Sequence, residues 1–228
     1  RPGAPMHRLY HVPLSPFCRK VRLVLAEKRV EVELIEERPW ERRLDFLRLN
    51  PAGRVPVLIT DKGRTLAGST AILEYLEETI PEPALLPRGA LERAEVRRLI
   101  DWFDDKFNRE VTENLLFERV TKRLARLGYP DGACLKAGSQ NIRVHLDYVT
   151  YLLEGHNWLA GPKMTAADLT AAAHLSCLDY LGDVPWAEYP AVRDWYAVMK
   201  SRPCFRGPLA DHLPGFPRPP AHYAELDF

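Results

Sequence analysis

Cysteine is scarce in this sequence and never closely paired. Only four occur in 228 residues, Cys18, Cys134, Cys177 and Cys204. They show neither the close spacing of a zinc site nor the density of a disulfide framework, a pattern that suits a reducing cytoplasm. No apolar run approaches the roughly 18 residues that a membrane-spanning helix needs, and the first residues carry no signal-peptide core. Neither direct membrane insertion nor export by that route is expected. An excess of one charge is lacking too: 32 Lys and Arg stand against 31 Asp and Glu, for a net charge of +1. No basic run is interleaved with aromatics, which argues against nucleic acid as a partner. The seven histidines, His7, His11, His145, His156, His174, His212 and His222, have no spacing that suggests a metal site or a catalytic triad, so no metal is expected.

What is present suits two domains of about 100 residues each. Residues 1–5 read as a cloning remnant before Met6. From there, Leu9-Tyr10-His11 is a short strand that runs into Pro13 and Ser15-Pro16, and an apolar stripe beginning at Val21, Leu23, Val24 and Leu25 marks a helix. Val32 to Glu36 reads as a second strand. Val55 to Ile59 reads as a third, turning through Asp61-Lys62-Gly63 into Thr65-Leu66, and Ser69 opens a helix through Glu77. The order β-α-β-α-β-β-α over residues 6–84 is that of a thioredoxin-like α/β domain.

Pro81, Pro83 and Pro87 interrupt the pattern, so residues 85–90 read as a linker. Residues 91–210 then read as an all-helical domain. Val96, Leu99, Ile100, Phe103, Phe107 and Val111 recur at spacings of three and four, and Ile142, Leu146, Val149, Leu152 and Leu153 do so later. Thr165-Ala166-Ala167-Asp168 is a capping box, in which the threonine hydroxyl accepts from the Asp168 amide and the aspartate reaches back to the Thr165 amide. A last long helix from Pro190 stops at Arg202-Pro203. Residues 211–228 form a proline-rich tail that looks dispensable to the helical bundle, since its prolines forbid a helix before residue 221.

Four segments in order carry a resemblance to the glutathione transferase superfamily: Pro13-Leu14-Ser15-Pro16-Phe17-Cys18-Arg19-Lys20-Val21-Arg22, Asn50 to Leu58, the Thr165 to Asp168 box, and Tyr189-Pro190-Ala191-Val192-Arg193-Asp194-Trp195. The likeness covers about residues 7–206. It implies a thioredoxin-like N-terminal domain, a helical C-terminal domain and a homodimer. A narrower resemblance rests on Glu36-Glu37-Arg38-Pro39-Trp40-Glu41-Arg42 and on the ending His222-Tyr223-Ala224-Glu225-Leu226-Asp227-Phe228. These segments are similar to those of glutathione-transferase-like division proteins of alphaproteobacteria, which bind the tubulin homologue FtsZ.

The resemblance places a glutathione site at Ser15, Val55, Pro56, Gly68 and Ser69. Ser15 sits where a helix N-terminus favours an anion such as thiolate, yet it equally suits an N-cap followed by Pro16 at the first helical position. Cys18 is then a buried, inert thiol. Val55-Pro56 resembles the loop that pairs with the cysteinyl part of glutathione, and Ser69 can hold the γ-glutamyl carboxylate. Gly68 stands where the family usually places an acid that pairs with the ligand's ammonium group. Losing one side of a buried charge pair costs about 2 to 5 kcal/mol, at least roughly 30-fold in affinity. The site therefore reads as degenerate, with no catalytic residue and no cofactor. The alternative is an active cytoplasmic transferase or isomerase that uses Ser15 and glutathione.

Two surfaces suggest a protein partner. Trp40, beside Arg38 and ringed by charge, has the make-up of an interface hot spot if it is exposed, although it would also serve to cover its own domain's cleft. The tail ends in aromatic and acidic residues, among them Glu225, Asp227 and Phe228, and such a segment can dock on a partner, pack back on its own fold or stay loose. The resemblance implies FtsZ as the partner, a dimeric non-enzymatic scaffold that affects filament organisation, and a cytoplasmic location at the division site.

Overall fold

The computed structural model describes residues 5–226 and residue 228. Strand β1 (His7–His11) runs parallel to β2 (Val32–Glu36) and antiparallel to β3 (Val57–Ile59), which pairs antiparallel with β4 (Thr65–Ala67). The sheet order is β2-β1-β3-β4, and β2 forms an open edge. Alternation along the strands separates two faces. Leu9 and Leu58 point into the main core, packed under α1 (Pro16–Glu27) and α3 (Ser69–Thr79). Val57 and Ile59 point to the other face, where Phe46 of α2 (Leu44–Leu49) covers them.

The second half begins with α4 (Ala90–Asp101). It continues through a π-wound stretch (Trp102–Thr121) into α5 (Lys122–Leu124) as one rod, with Phe103, Phe107 and Val111 fully buried. Next come α6 (Gly132–Leu152), α7 (Ala166–Tyr180), α8 (Pro190–Ser201) and the short α9 (Arg206–Leu209). Every residue of α7 is buried. A helix enclosed on all sides lies at the centre of a bundle, and small Ala166, Ala167, Ala171, Ala172 and Ala173 let its neighbours approach closely. Among the described residues no helix is long and apolar enough to cross a membrane.

The capping box at α7 forms with both of its arms, the Thr165 side chain toward the Asp168 amide and the Asp168 side chain toward the Thr165 amide. The Thr165 amide donates to Asp168 Oδ2 at 2.9 Å, and Thr165 Oγ1 also accepts from the Ala167 amide at 3.2 Å. Asp168 does more than cap, because its Oδ1 also accepts from the Leu159 amide and from Trp195 Nε1, each at 3.0 Å. One buried carboxylate thereby ties α7 to α8 and to the loop before it, which is why an acid survives there against the desolvation that raises its pKa.

The segment between the halves is fastened rather than loose. Leu85 and Leu86 are buried, at about 1.5–3 kcal/mol each for the side chains removed from water. Their amides donate to the two carboxylate oxygens of Glu77, at 3.0 and 3.2 Å. Lys28 Nζ holds Glu77 at 2.8 Å and caps the carbonyls of Ile80 and Pro83.

The tail differs from its reading as an appendage. Tyr223 is 1% exposed and belongs to the main core. Lys200 Nζ donates to the carbonyls of His222 and Tyr223, at 2.7 and 3.3 Å, and His222 Nε2 meets Asp179 Oδ1 at 2.8 Å. The prolines do exclude a long helix, but a single 3-10 turn over Ala221–Tyr223 suffices to drive the tyrosine inward.

Candidate functional site

A cleft of about 290 Å³ opens where the loop before β3 faces the start of α3. It brings together Val55, Pro56, Gly68 and Ser69, four of the five positions expected, and adds Phe17, Asn50 and Arg54. The Val55–Pro56 bond is cis. Among the described residues neither the Val55 amide nor its carbonyl has a backbone partner, so the strand-like edge that would meet an extended ligand is open. Asn50 shapes the loop from beneath, donating from Nδ2 to the Arg54 carbonyl at 2.8 Å and accepting from the Ala52 amide at 3.2 Å.

Ser15 is not among the residues lining the cleft. Its hydroxyl accepts from the Cys18 amide at 3.3 Å, with Pro16 in the first turn of α1, which is the capping geometry that its sequence context suits. Cys18 is wholly buried, and burial pushes its thiol up to about 11. It remains protonated at neutral pH and makes a poor nucleophile.

Gly68 has φ +95°, a region that side-chain-bearing residues rarely adopt. A Cβ built there meets nothing within 4 Å, so space is present where a carboxylate is not. None of the residues lining the cleft carries an acid. Ser69, 8% exposed, opens α3, and its hydroxyl accepts from Lys20 Nζ at 3.3 Å. The same ammonium donates to Thr70 Oγ1 at 3.3 Å and to Asp104 Oδ2 at 2.6 Å. The N-terminal end of α3, Ser69, Arg54 and the cation behind them all favour an anion.

Sequence reasoning missed the polar seam under this cleft. Asp104 Oδ1 meets His174 Nε2 at 3.0 Å, and His174 Nδ1 lies 3.4 Å from Thr112 Oγ1. Burial alone would raise the Asp104 pKa, but the His174 hydrogen bond and the Lys20 charge hold it below the usual carboxylate range. Burial lowers His174, keeping the imidazole neutral. Beside Lys20 on α1, Arg19 is fully buried and donates to Ser176 Oγ, the Pro208 carbonyl and Asp211. Arg22 adds a two-pronged contact to Asp211, at 2.6 and 3.1 Å. A signal existed in the run Arg19-Lys20-Val21-Arg22, in which cations occupy the same helix as the apolar stripe.

The two partner surfaces take different forms. Trp40 is half-exposed in a 3-10 turn (Pro39–Glu41) and does not line the cleft. Arg38, exposed, pairs with Glu41 at 3.4 Å, while Arg43 grips the buried Glu37 through two hydrogen bonds at 3.1 and 2.7 Å. Leu44, 71% exposed, follows at the start of α2. In the tail, Glu225 is exposed, and Asp227 lies outside the described residues. The Phe228 ring stacks on His222 and meets Trp186 edge-on, with Lys200 Nζ 4.0 Å from its centre. The aromatic terminus is seated on the helical half, leaving Glu225 outward.

Residues 9–84 match the family model of the glutathione S-transferase N-terminal domain, and residues 115–203 match that of the C-terminal domain. FtsZ-localized protein A of Caulobacter vibrioides is 50% identical over 223 residues, 96% of this chain and 97% of that protein. A solved glutathione S-transferase from Rhodospirillum rubrum F11 superposes with a TM-score of 0.95 at 52% identity, covering 98% of this chain and all of that one. The structure of FzlA from C. crescentus does so at 0.94 and 49%, with the same coverage. The four-stranded sheet with its cis-proline cleft, the helical second half and these matches over nearly the full length place the chain in the glutathione S-transferase superfamily.

Proposed function

We propose that this protein is a non-enzymatic division factor: a glutathione-transferase fold, paired as a homodimer, that binds filaments of FtsZ in the cytoplasm at the division site and affects their curvature and constriction. The observation that carries the reading is the 50% identity with FtsZ-localized protein A across 96% of the chain. The absence of any acid from the lining of the cleft supports it, because glutathione's ammonium then goes unpaired and occupancy is poor. Two copies of one surface let a dimer hold neighbouring filaments. The half-exposed Trp40 beside Arg38, together with the tail end at Glu225, Asp227 and Phe228, supplies the contacts.

The test is co-sedimentation with polymerised FtsZ. The protein is expected to pellet with filaments. Trp40→Ala should weaken this by about 30-fold, the cost of a hot-spot tryptophan, with the unfolding temperature unchanged. Asp227→Lys should do the same. No pelleting above background counts decisively against the reading. A second reading, a transferase or isomerase acting through Ser15, is favoured by the open Val55 backbone edge and by the likeness to the Rhodospirillum rubrum transferase. Thermal shift separates the two. Glutathione at 100 times its dissociation constant stabilises a true binder by about 2.7 kcal/mol, whereas the division-factor reading expects almost no shift at millimolar ligand.

A further inference from the structure

Residues 125–131, which join the rod to α6, carry two large apolar side chains outside the core. Leu127 is 63% exposed and Tyr129 93% exposed, and neither belongs to a hydrophobic core cluster. Every residue from 127 to 131 is exposed. The turn is nonetheless held in shape at its base. The Leu127 amide donates to the Lys122 carbonyl at 2.9 Å and the Arg126 amide to the Arg123 carbonyl at 3.2 Å, the paired bonds of a Schellman helix end. That motif commonly tucks its outer residue against the last turn of the helix, yet here Leu127 stays in the open. Its left-handed position usually falls to glycine, but Arg126 occupies it at φ +56°. A cation is kept where it carries backbone strain and glycine would carry none.

The charges around this turn are sorted by sign. Residues 118–136 contain two acids, Glu118 and Asp131, and both are spent locally. Glu118 Oε2 accepts from Lys122 Nζ at 2.9 Å and from the Asp131 amide at 2.8 Å. Asp131 Oδ1 caps α6 by accepting from the Ala133 and Cys134 amides, at 2.8 and 3.2 Å. Arg123, Arg126 and Lys136 are exposed and form no ion pair among the described residues. The outward charge of the turn is therefore positive. Exposed leucine and tyrosine beside free cations are the make-up of an anchor at an anionic lipid interface, where the apolar groups enter and the cations meet phosphates. A stable protein interface needs a wide, shape-matched surface of about 1,000 Å². Two apolar side chains on a narrow turn offer little of that, whereas a fluid lipid surface moulds itself around them.

We propose that the turn at Leu127 and Tyr129 docks this protein peripherally on an anionic lipid surface, with the two apolar side chains in the headgroup region and Arg123, Arg126 and Lys136 against lipid phosphates. Nothing spans the bilayer, in keeping with the lack of a long apolar helix among the described residues. The contact is reversible, since it rests on few cations and two apolar side chains, and it is independent of any FtsZ contact.

The test is sedimentation of the full chain with sucrose-loaded vesicles of mixed phosphatidylglycerol and phosphatidylcholine, against vesicles of phosphatidylcholine alone. Binding is expected to the anionic vesicles only, and it should fall steeply as salt is raised. Arg126→Gly removes the cation while relieving the strain, so it should bind about fivefold more weakly and unfold at no lower temperature. Leu127→Ser combined with Tyr129→Ser should cost about tenfold or more, with the fold confirmed by circular dichroism. Lys62→Glu, at the exposed β3–β4 turn of the other half, should change nothing. Equal binding to both kinds of vesicle, binding to neither, or parental binding by either tip variant would overturn the proposal. If vesicles are ignored while Arg126→Gly lowers pelleting with FtsZ filaments, the turn is a protein contact and the proposal fails.

Discussion

Arg19 of the first helix donates from Nη2 to the phenolic oxygen of Tyr223 at 2.9 Å, joining residues 204 positions apart. The phenol in turn donates to the Pro208 carbonyl at 3.0 Å. The first helix and the last turn of the chain thus share one buried donor network, and both halves of the fold depend on the tail.

Tyr223→Phe removes that phenol while keeping the ring. Arg19 retains Ser176, Pro208 and Asp211 as partners, so the expected loss is about 1 kcal/mol, the lower end of the cost of an unsatisfied buried group. Urea unfolding measures it. An unchanged midpoint and slope would show that the contact is dispensable.

Lys20 and Asp104 should couple strongly. Either Lys20→Met or Asp104→Leu alone leaves a buried charge unpaired, at about 3–5 kcal/mol. The double variant should be destabilised by clearly less than the sum of the two, since neither charge remains. A double-mutant cycle by denaturant titration decides this, and additive losses would refute the coupling.

Acid should destabilise this fold through its histidines. Burial, followed by the Arg22 charge, depresses His11 from the ordinary 6.5 to about 4, and burial depresses His174 and His145 in the same direction. The folded state therefore resists protonation that the unfolded chain accepts. The His11 contribution is whole above pH 6.5 and drains away as pH falls toward 4, up to about 3 kcal/mol. The lowered Asp104 acts with the same sign at still lower pH. His11→Gln should flatten the pH dependence of the unfolding free energy between 6.5 and 4. An identical slope in the variant would assign the effect elsewhere.

Gly68→Glu tests the missing counter-charge directly. A Cβ there meets no neighbour, but any side-chain-bearing residue at φ +95° carries strain, at about 1–3 kcal/mol. The variant should be less stable by that order yet bind glutathione at least tenfold more tightly by calorimetry. Gly68→Ala controls for the strain and should gain no affinity. If both variants bind alike, the acid is not what the cleft lacks.

Local patterns were legible wherever chemistry and position agree. Ser15 followed by Pro16 announces a capped helix start, Thr165 with Asp168 announces another, and the apolar run from Val55 to Ile59 marks the strand behind the cleft, which the structure begins at Val57. Gly68 was legible as an absence, and the structure shows that none of its neighbours in the cleft lining supplies an acid. The run of cations on the apolar helix was a signal, but the burial of Arg19, Lys20 and Arg22 was not legible, because they resemble a solvated face until their partners Asp211 and Asp104 arrive from distant segments. Tyr223 was hidden for the same reason: its surrounding prolines and polar residues describe a loop, and the slot it fills is built from Arg19 of α1, Tyr180 of α7, Lys200 of α8 and Pro208 of α9. The π-winding of the long rod leaves no mark in an apolar spacing of three and four.

Glu77, gripping the amides of Leu85 and Leu86 while Lys28 braces it, removes the joint that a connecting segment would otherwise provide. On the proposed reading, a filament held at Trp40 and at Glu225 would load both sides of this clamp at once, so loosening it by Glu77→Ala should blunt the effect on filaments without touching either contact.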